Sequence, residues 1–482
     1  MALPQGRTLV LCFDGTADQY DSTNTNVVKF YDLLSKDDTQ QLCYYQPGVG
    51  TYVNPSIMSP IWQWIAKVLD EAVAWYLDEH VRGGYEFLVQ TYRPGDKICI
   101  FGFSRGAYTA RAVAGLLYKV GLLPKNNPEQ IPFAYKLYKS TSKSNEELAR
   151  GFKQTFCRSV NVEFLGVWDT VEATGILWTR SLPFTASDTA IKTFRHALSL
   201  DEHRTKFRPS LYHRSTPSSS SSSGTTTDST TPVVDAKVVA KLRKQIDSLN
   251  RSHMKKKDST TPAPTDSEAQ DLDPQYTPIT HTDVLEVWFA GCHADIGGSA
   301  VPNSTKECLS NITLHWMVRE VVKAQCGICF DSTALLREGI PTSILTENIQ
   351  NIEDTLDGAA TGSPPPIATN PSPGSATNDG TTTSGNDASQ SGNSENDALQ
   401  PIHDELKEDI LWWLLEIIPT SYTWQDTSGK WHTTWSIHLG KGRYIPYAQP
   451  NFHVSVKERM ADASLKYIPR ARWTKGSEVY TP

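Results

Sequence analysis

Residues 97–107 read Lys-Ile-Cys-Ile-Phe-Gly-Phe-Ser-Arg-Gly-Ala, and no other stretch constrains the fold as tightly. An apolar run of strand character ends in Gly102-Phe103-Ser104-Arg105-Gly106, and residues 107–117, rich in Ala and Leu, continue as a helix. A Gly-x-Ser-x-Gly between a buried strand and a helix is a sharp turn that lifts the serine hydroxyl above a sheet. Glycines flank the serine because strand and helix approach too closely there for a Cβ. In that setting Ser104 is a candidate nucleophile, and the Arg105 N–H is a candidate donor to a developing oxyanion. Without the strand and the helix the pentapeptide would be a weak signal, and the bland reading is an ordinary glycine-rich turn.

A serine needs a base, and the base needs an orienting acid. Behind this type of turn the partners follow in the order serine, acid, histidine. Residues 162–168, Val-Glu-Phe-Leu-Gly-Val-Trp, form a buried strand that ends in Asp169, which places an acid on the same rim as the serine. A second strand over residues 284–290 is followed by His293, and Gly297 and Gly298 then mark a loop able to carry the imidazole over the turn. The competing readings are a cap for Asp169 and a structural histidine for His293. Three other groups compete or assist. His196 is expected on a helix or its edge, in a polar network with Asp201, Glu202, His203 and Arg204. His453 falls at a loop-to-helix transition. Asp295 is either an alternative acid or a fixer of its own glycine-rich loop. Near the amino end, Asp14-Gly15-Thr16 follows a strand. Gly15 and Thr16 are candidate second oxyanion donors, with Asp14 tying the loop or capping its turn.

Several of these segments, taken in order, resemble one known family. The stretches are Leu11-Cys12-Phe13-Asp14-Gly15-Thr16, Gly102-Phe103-Ser104-Arg105-Gly106-Ala107, Gly166-Val167-Trp168-Asp169-Thr170-Val171, and Arg195-His196-Ala197-Leu198-Ser199-Leu200-Asp201-Glu202. They continue in Trp288-Phe289-Ala290-Gly291-Cys292-His293-Ala294-Asp295-Ile296-Gly297-Gly298, Ile445-Pro446 and His453-Val454-Ser455-Val456. The chain resembles the serine hydrolases grouped with the catalytic domain of type VI secretion phospholipase effectors. The resemblance implies an α/β-hydrolase-like fold, with a mostly parallel central sheet flanked by helices. It also implies a triad of Ser104, Asp169 and His293, ester hydrolysis without a cofactor or metal, and lipid or other acyl esters as substrates. Phospholipids are the substrates of the bacterial members. The low-complexity inserts look more like the fungal members. Alternatives of other kinds are a catalytically silent interaction protein on the same fold and an acyltransferase using the same triad. The sequence around Asp14 is also similar to the haloacid-dehalogenase phosphatases, but the position of their nucleophile is held by Cys12, which argues against that chemistry.

Composition agrees with an enzyme core interrupted twice. The chain has 482 residues and a net charge of −7, with no global basic footprint for nucleic acid. No uncharged apolar run reaches the ~18 residues of a membrane span. The amino end lacks a signal-peptide pattern, so a cytoplasmic location is expected. The eight cysteines are scattered and suit a reducing compartment. Cys326-Gly327-Ile328-Cys329 follows a helix, lacks two further zinc ligands and reads as structural. The expected organisation is hydrolase core over residues 1–214, a low-complexity insertion over 215–280 that opens on six serines, and core again over 281–353. A disordered insertion over 354–400 and a helical or lid region over 401–482 complete it. Within the first insertion Val234, Val238, Leu242, Ile246 and Leu249 share a helical face, and Lys255, Lys256 and Lys257 follow. That arrangement is a candidate peripheral membrane contact, against the plainer reading of a solvated helix. Residues 132–138 and 145–156 read as cap helices, and the tryptophan-bearing stretch 57–81 as a packed helix. The apolar run 410–418 is either a lid that meets lipid or a helix closing the core. Oligomeric state is not legible.

Overall fold

The computed structural model describes residues 6–15, 18, 20–48, 70–171, 190–213, 277–345, 396–426, 428 and 430–482. The expected helix at residues 234–249, its lysines, Thr16 and residues 57–69 lie outside the described residues.

Among the described residues ten strands form two sheets. In chain order they are β1 (Thr8–Phe13), β2 (Gln41–Gln46), β3 (Lys97–Phe103), β4 (Val162–Trp168), β5 (Ile191–Ser199) and β6 (Asp283–Phe289). They continue with β7 (Thr420–Gln425), β8 (Trp431–Ser436), β9 (Asn451–His453) and β10 (Val479–Thr481). Eight of them make one sheet in the order β10-β9-β6-β5-β4-β3-β1-β2, and every pairing within it is parallel. β7 and β8 form a separate antiparallel ribbon.

Parallel strands covered on both faces need apolar side chains on both faces, and β1 shows the pattern. Leu9, Leu11 and Phe13 enter one core. Val10 and Cys12 enter the other. The first core is shared by helices α2 (Asp70–Thr91), α3 (Ser104–Val120), α4 (Ile131–Lys139) and α5 (Lys143–Phe156). The second lies under α1 (Asn26–Leu33) and a helix at Leu309–Ala324, where Phe30, Phe101, Phe164 and Trp168 pack together. A third cluster, with Trp288, Ile445, Phe452 and Val456, closes the far edge. The two helices expected to form a cap, α4 and α5, pack on α3 within the first core.

Chain direction explains where a ligand can bind. From β1 the chain crosses to β2 at the edge, then returns through α2 to β3 on the other side of β1. In open parallel sheets the crevice lies outside the carboxyl ends of the strands at such a reversal. Those ends here are Asp14–Gly15 after β1 and Ser104 after β3.

Two expectations are corrected. His196 sits in the middle of β5 rather than on a helix, paired in register with Val167 of β4 and Glu286 of β6. Residues 396–400, read as the tail of the second insertion, are folded onto the core. Ala398 is buried, its carbonyl accepts from the Arg459 guanidinium at 2.5 Å, and the Asp397 carboxylate accepts from Cys308 N–H at 2.8 Å.

Candidate active site

The turn after β3 is strained as its sequence requires. Ser104 is a non-glycine residue at φ +57°, a region costly for a side chain unless the surroundings impose it. A Cβ on Gly102 would stand 2.5 Å from Gly106 O, and one on Gly106 would stand 2.3 Å from both Phe13 O and Asp14 O. Both glycines are therefore fixed by backbone approach. The second contact also presses the first turn of α3 against the loop that leaves β1.

Asp169 follows β4 with φ +37°, its N–H donating to Ala197 O at 2.8 Å. Its carboxylate is fully buried and accepts from four donors. They are Ser199 N–H at 3.0 Å, the two terminal nitrogens of Arg443 at 2.5 and 2.8 Å, and His293 Nδ1 at 2.5 Å. Burial would push this carboxyl up. The Arg443 charge and the bonds from His293 and Arg443 outweigh that and hold it well below the usual carboxylate range. An ionised carboxylate can only accept, so Nδ1 of His293 carries the proton and Nε2 presents its lone pair.

His293 begins the short helix α6 (His293–Gly297), whose start is boxed by Asp295 accepting from Cys292 N–H at 2.8 Å. The imidazole lies between two aromatic rings, Phe103 at 4.6 Å and Phe207 at 4.8 Å. Phe103 directly precedes Ser104, so the serine turn and the imidazole share a wall. His293 Nε2 is buried and makes no hydrogen bond among the described residues. Burial lowers the imidazole pKa, and Asp169 opposes this only in part. The ring is neutral at neutral pH, with one nitrogen anchored and the other open. Below it, Glu202 accepts from His293 N–H at 3.3 Å and from Arg204 Nε at 3.0 Å. Burial raises the Glu202 carboxyl, but Arg204 prevails and brings it to about 2.

The other sequence candidates take different places. The Gly15 N–H donates to Asp14 Oδ1 at 2.8 Å, within its own turn. Asp14 is also tied to Thr25 Oγ1 and Tyr45 OH, each at 2.7 Å. His196 is buried between strands, its Nε2 accepting from Thr170 N–H at 3.0 Å and its Nδ1 facing Glu286 at 2.9 Å. It braces the backbone just after Asp169. His453 ends β9, stacks on Phe289 at 4.8 Å and bonds Ser455 Oγ at 2.8 Å. Burial takes its pKa down to about 3. Asp295 pairs with His403 Nδ1 at 2.7 Å. None of these three bonds to Asp169 or His293 among the described residues.

Sequence reasoning missed Arg443 and Phe207. Lys441-Gly442-Arg443 lies just before Ile445-Pro446, a basic pair in a polar stretch ahead of a buried isoleucine, and that was the available signal. Nothing local connects it to an acid 274 residues earlier. Of the run 410–418, Leu415 and Glu416 are buried while Ile410, Trp413, Leu414 and Ile417 face solvent, and Trp431, Trp435, Ile437 and Leu439 are exposed as well. A cavity of about 400 Å³ opens between that ribbon and the Arg443 side of the site. No helix among the described residues is long and apolar enough to cross a membrane, and the eight cysteines are free thiols.

A parallel sheet wound in both directions, with a strained serine turn and a buried carboxylate–imidazole pair on its carboxyl rim, defines an α/β-hydrolase-like protein. Within that class the chain belongs to the family of the T6SS phospholipase effector Tle1-like catalytic domain, whose model matches residues 7–320. Uncharacterized protein YEL023C of Saccharomyces cerevisiae is 28% identical over 92% of this chain and 77% of its own length. Among solved structures, an uncharacterized protein from Pseudomonas aeruginosa aligns with 17% identity over 72% of this chain, at a TM-score of 0.36. The Tle1 effector bound to the VgrG spike from the type 6 secretion system aligns with 17% identity over 42% of this chain, at a TM-score of 0.27. The chain spans about half the length of each of those two proteins, 51% and 47%.

Proposed function

We propose that this protein hydrolyses carboxylic esters of lipids, phospholipids among them, through an acyl-enzyme on Ser104. One observation carries the reading. A buried neutral imidazole, His293, is fixed at Nδ1 by Asp169 and holds an unused Nε2 beside the residue that precedes a serine at φ +57°.

In this mechanism Ser104 Oγ attacks the ester carbonyl while His293 Nε2 accepts the hydroxyl proton. Asp169 stabilises the imidazolium, and Arg443 keeps Asp169 ionised throughout. The oxyanion accepts hydrogen bonds from the Arg105 N–H and from an N–H of the loop that follows β1. Collapse of the tetrahedral intermediate expels the alkoxide, which takes the proton from His293. Water, deprotonated by the same nitrogen, then attacks the acyl carbonyl and frees Ser104. Family membership supports a lipid ester over a peptide or sugar ester. The test is labelling by a fluorophosphonate together with turnover of a short acyl ester. Ser104→Ala should abolish both while the protein stays folded. His293→Ala should cost orders of magnitude in turnover, without adding to the serine loss. Unchanged labelling of Ser104→Ala would sink the reading.

A further inference from the structure

The cavity beside Arg443 has a lining that ester cleavage does not require. Arg204, Arg208, Lys441, Arg443 and Arg472 give it five cations against one carboxylate, Glu202. Glu202 is taken by Arg204 at 2.8 Å. Asp169, behind the lining, is taken by Arg443. Lys441 and Arg472 reach the same space, and neither pairs with a carboxylate among the described residues. Thr434 and Ser436 add hydroxyls from β8. Aromatic rings stand among these groups: Phe207 under Arg204 at 3.7 Å, Tyr422 under Arg208 at 4.7 Å and beside Thr434 across the ribbon, and Trp424 and Tyr444 packed edge to face at 5.1 Å.

Three residues belong to both the cavity and the carboxylate–imidazole pair. Phe207 packs on His293, Glu202 accepts from the His293 backbone, and Arg443 holds Asp169. A molecule whose ester carbonyl sits at Ser104 therefore extends its polar end into a space with excess positive charge and aromatic rings. A guanidinium, an ammonium and two hydroxyls suit the oxygens of a phosphate. The rings suit the carbon skeleton that joins the phosphate to the ester. A small inorganic anion would leave them unused.

We infer that this cavity is a head-group subsite that selects lipid esters bearing an anionic phosphate, with Lys441 and Arg472 as its specificity residues. The inference rests on the hydrolase reading above, and its test separates the two. The full chain is assayed on two soluble substrates with identical short acyl chains, a dihexanoyl phosphatidylglycerol and the neutral dihexanoylglycerol. The subsite reading expects wild type to favour the phosphate-bearing ester, and the preference to shrink as salt rises. In Lys441→Gln/Arg472→Gln the ratio of kcat/KM for the anionic ester to that for the neutral ester should fall at least about tenfold, mostly through KM. Lys441→Arg/Arg472→Lys should retain most of that ratio. An equal loss on both substrates, or no change in the ratio, would overturn the subsite. Inorganic phosphate that competes with the anionic ester at concentrations near that ester's own KM would mark a free-phosphate site and overturn the lipid assignment. A wild type that turns over neither ester would overturn the hydrolase reading itself.

Discussion

Arg443→Gln tests how the site keeps a charged carboxylate in a dry place. The guanidinium makes two bonds to Asp169, at 2.5 and 2.8 Å, and both side chains are buried. Its removal leaves the carboxylate with Ser199 N–H and His293 Nδ1 alone. Breaking a buried pair from one side costs about 3–5 kcal/mol. An independent bound gives a similar figure, because the carboxyl can escape by taking up a proton. From its ordinary value of 3.8, protonation near pH 7 costs roughly three times 1.4, or about 4 kcal/mol. The sign with pH follows from linkage. In the wild type the depressed Asp169 contributes stability that is fully present above 3.8 and is lost as pH falls through the lower folded value. Without Arg443, burial is left to push the Asp169 carboxyl above 3.8, so below that raised value the variant's buried acid takes up a proton and its deficit should be largest near pH 7 and narrow as pH falls towards about 5. Urea unfolding across about pH 5 to 8 reads this directly. Arg443→Lys should recover part of the loss, since it keeps the charge but not the two-pronged geometry. A deficit that stays below about 1 kcal/mol and does not change with pH would refute the argument.

Other outcomes follow from the same contacts. Burial depresses the pKa values of His293, His196 and His453, the last to about 3, so the unfolded chain binds protons that the native chain refuses. Stability should therefore fall as pH drops below the ordinary histidine value of 6.5, by up to about 1.4 kcal/mol per pH unit for each histidine, and a flat profile from neutral pH to pH 5 would contradict it. Turnover should likewise keep its acid limb below that value, because the imidazole is depressed by burial. Gly106→Ala puts a Cβ 2.3 Å from two carbonyl oxygens, so thermal melting should show a loss of 1–3 kcal/mol or more, roughly, and an unaltered melt would mean that the contact relaxes freely. Trp431→Ala/Trp435→Ala, at side chains 49% and 58% exposed, should weaken sedimentation with anionic vesicles while sparing melting temperature, and unchanged sedimentation would remove the ribbon as a membrane contact.

The parts of the site that sequence could reach were those with local rules. The spacing of Gly102, Ser104 and Gly106 is dictated by backbone approach within a few residues, and Asp169 and His293 each follow an apolar strand. His196 was misread because Arg195 and His196 look out of place in a central strand. Their partners explain them: Arg195 Nε donates to Glu320 at 2.7 Å, and His196 faces Glu286, both remote in sequence. The loop after β1 is legible as a source of backbone donors, but not which way each N–H turns, and that of Gly15 turns onto the neighbouring Asp14 carboxylate. Arg443 was invisible for a general reason: a bidentate pair closes across 274 residues and leaves no periodicity.

That long closure also sets an order in time. Ser104, Asp169 and His293 all lie within the family-matched region, residues 7–320, whereas Arg443 and the strands β9 and β10 that complete the sheet edge come later. As the ribosome works, the first three emerge long before the guanidinium that neutralises the buried carboxylate. Nascent chains stalled after residue 320 should fail to take up a fluorophosphonate, and chains carried past residue 481 should take it up. Fragments left by premature stops or by proteolysis should then stay unreactive towards the probe, because Asp169 lacks its buried counter-charge until synthesis has passed Arg443.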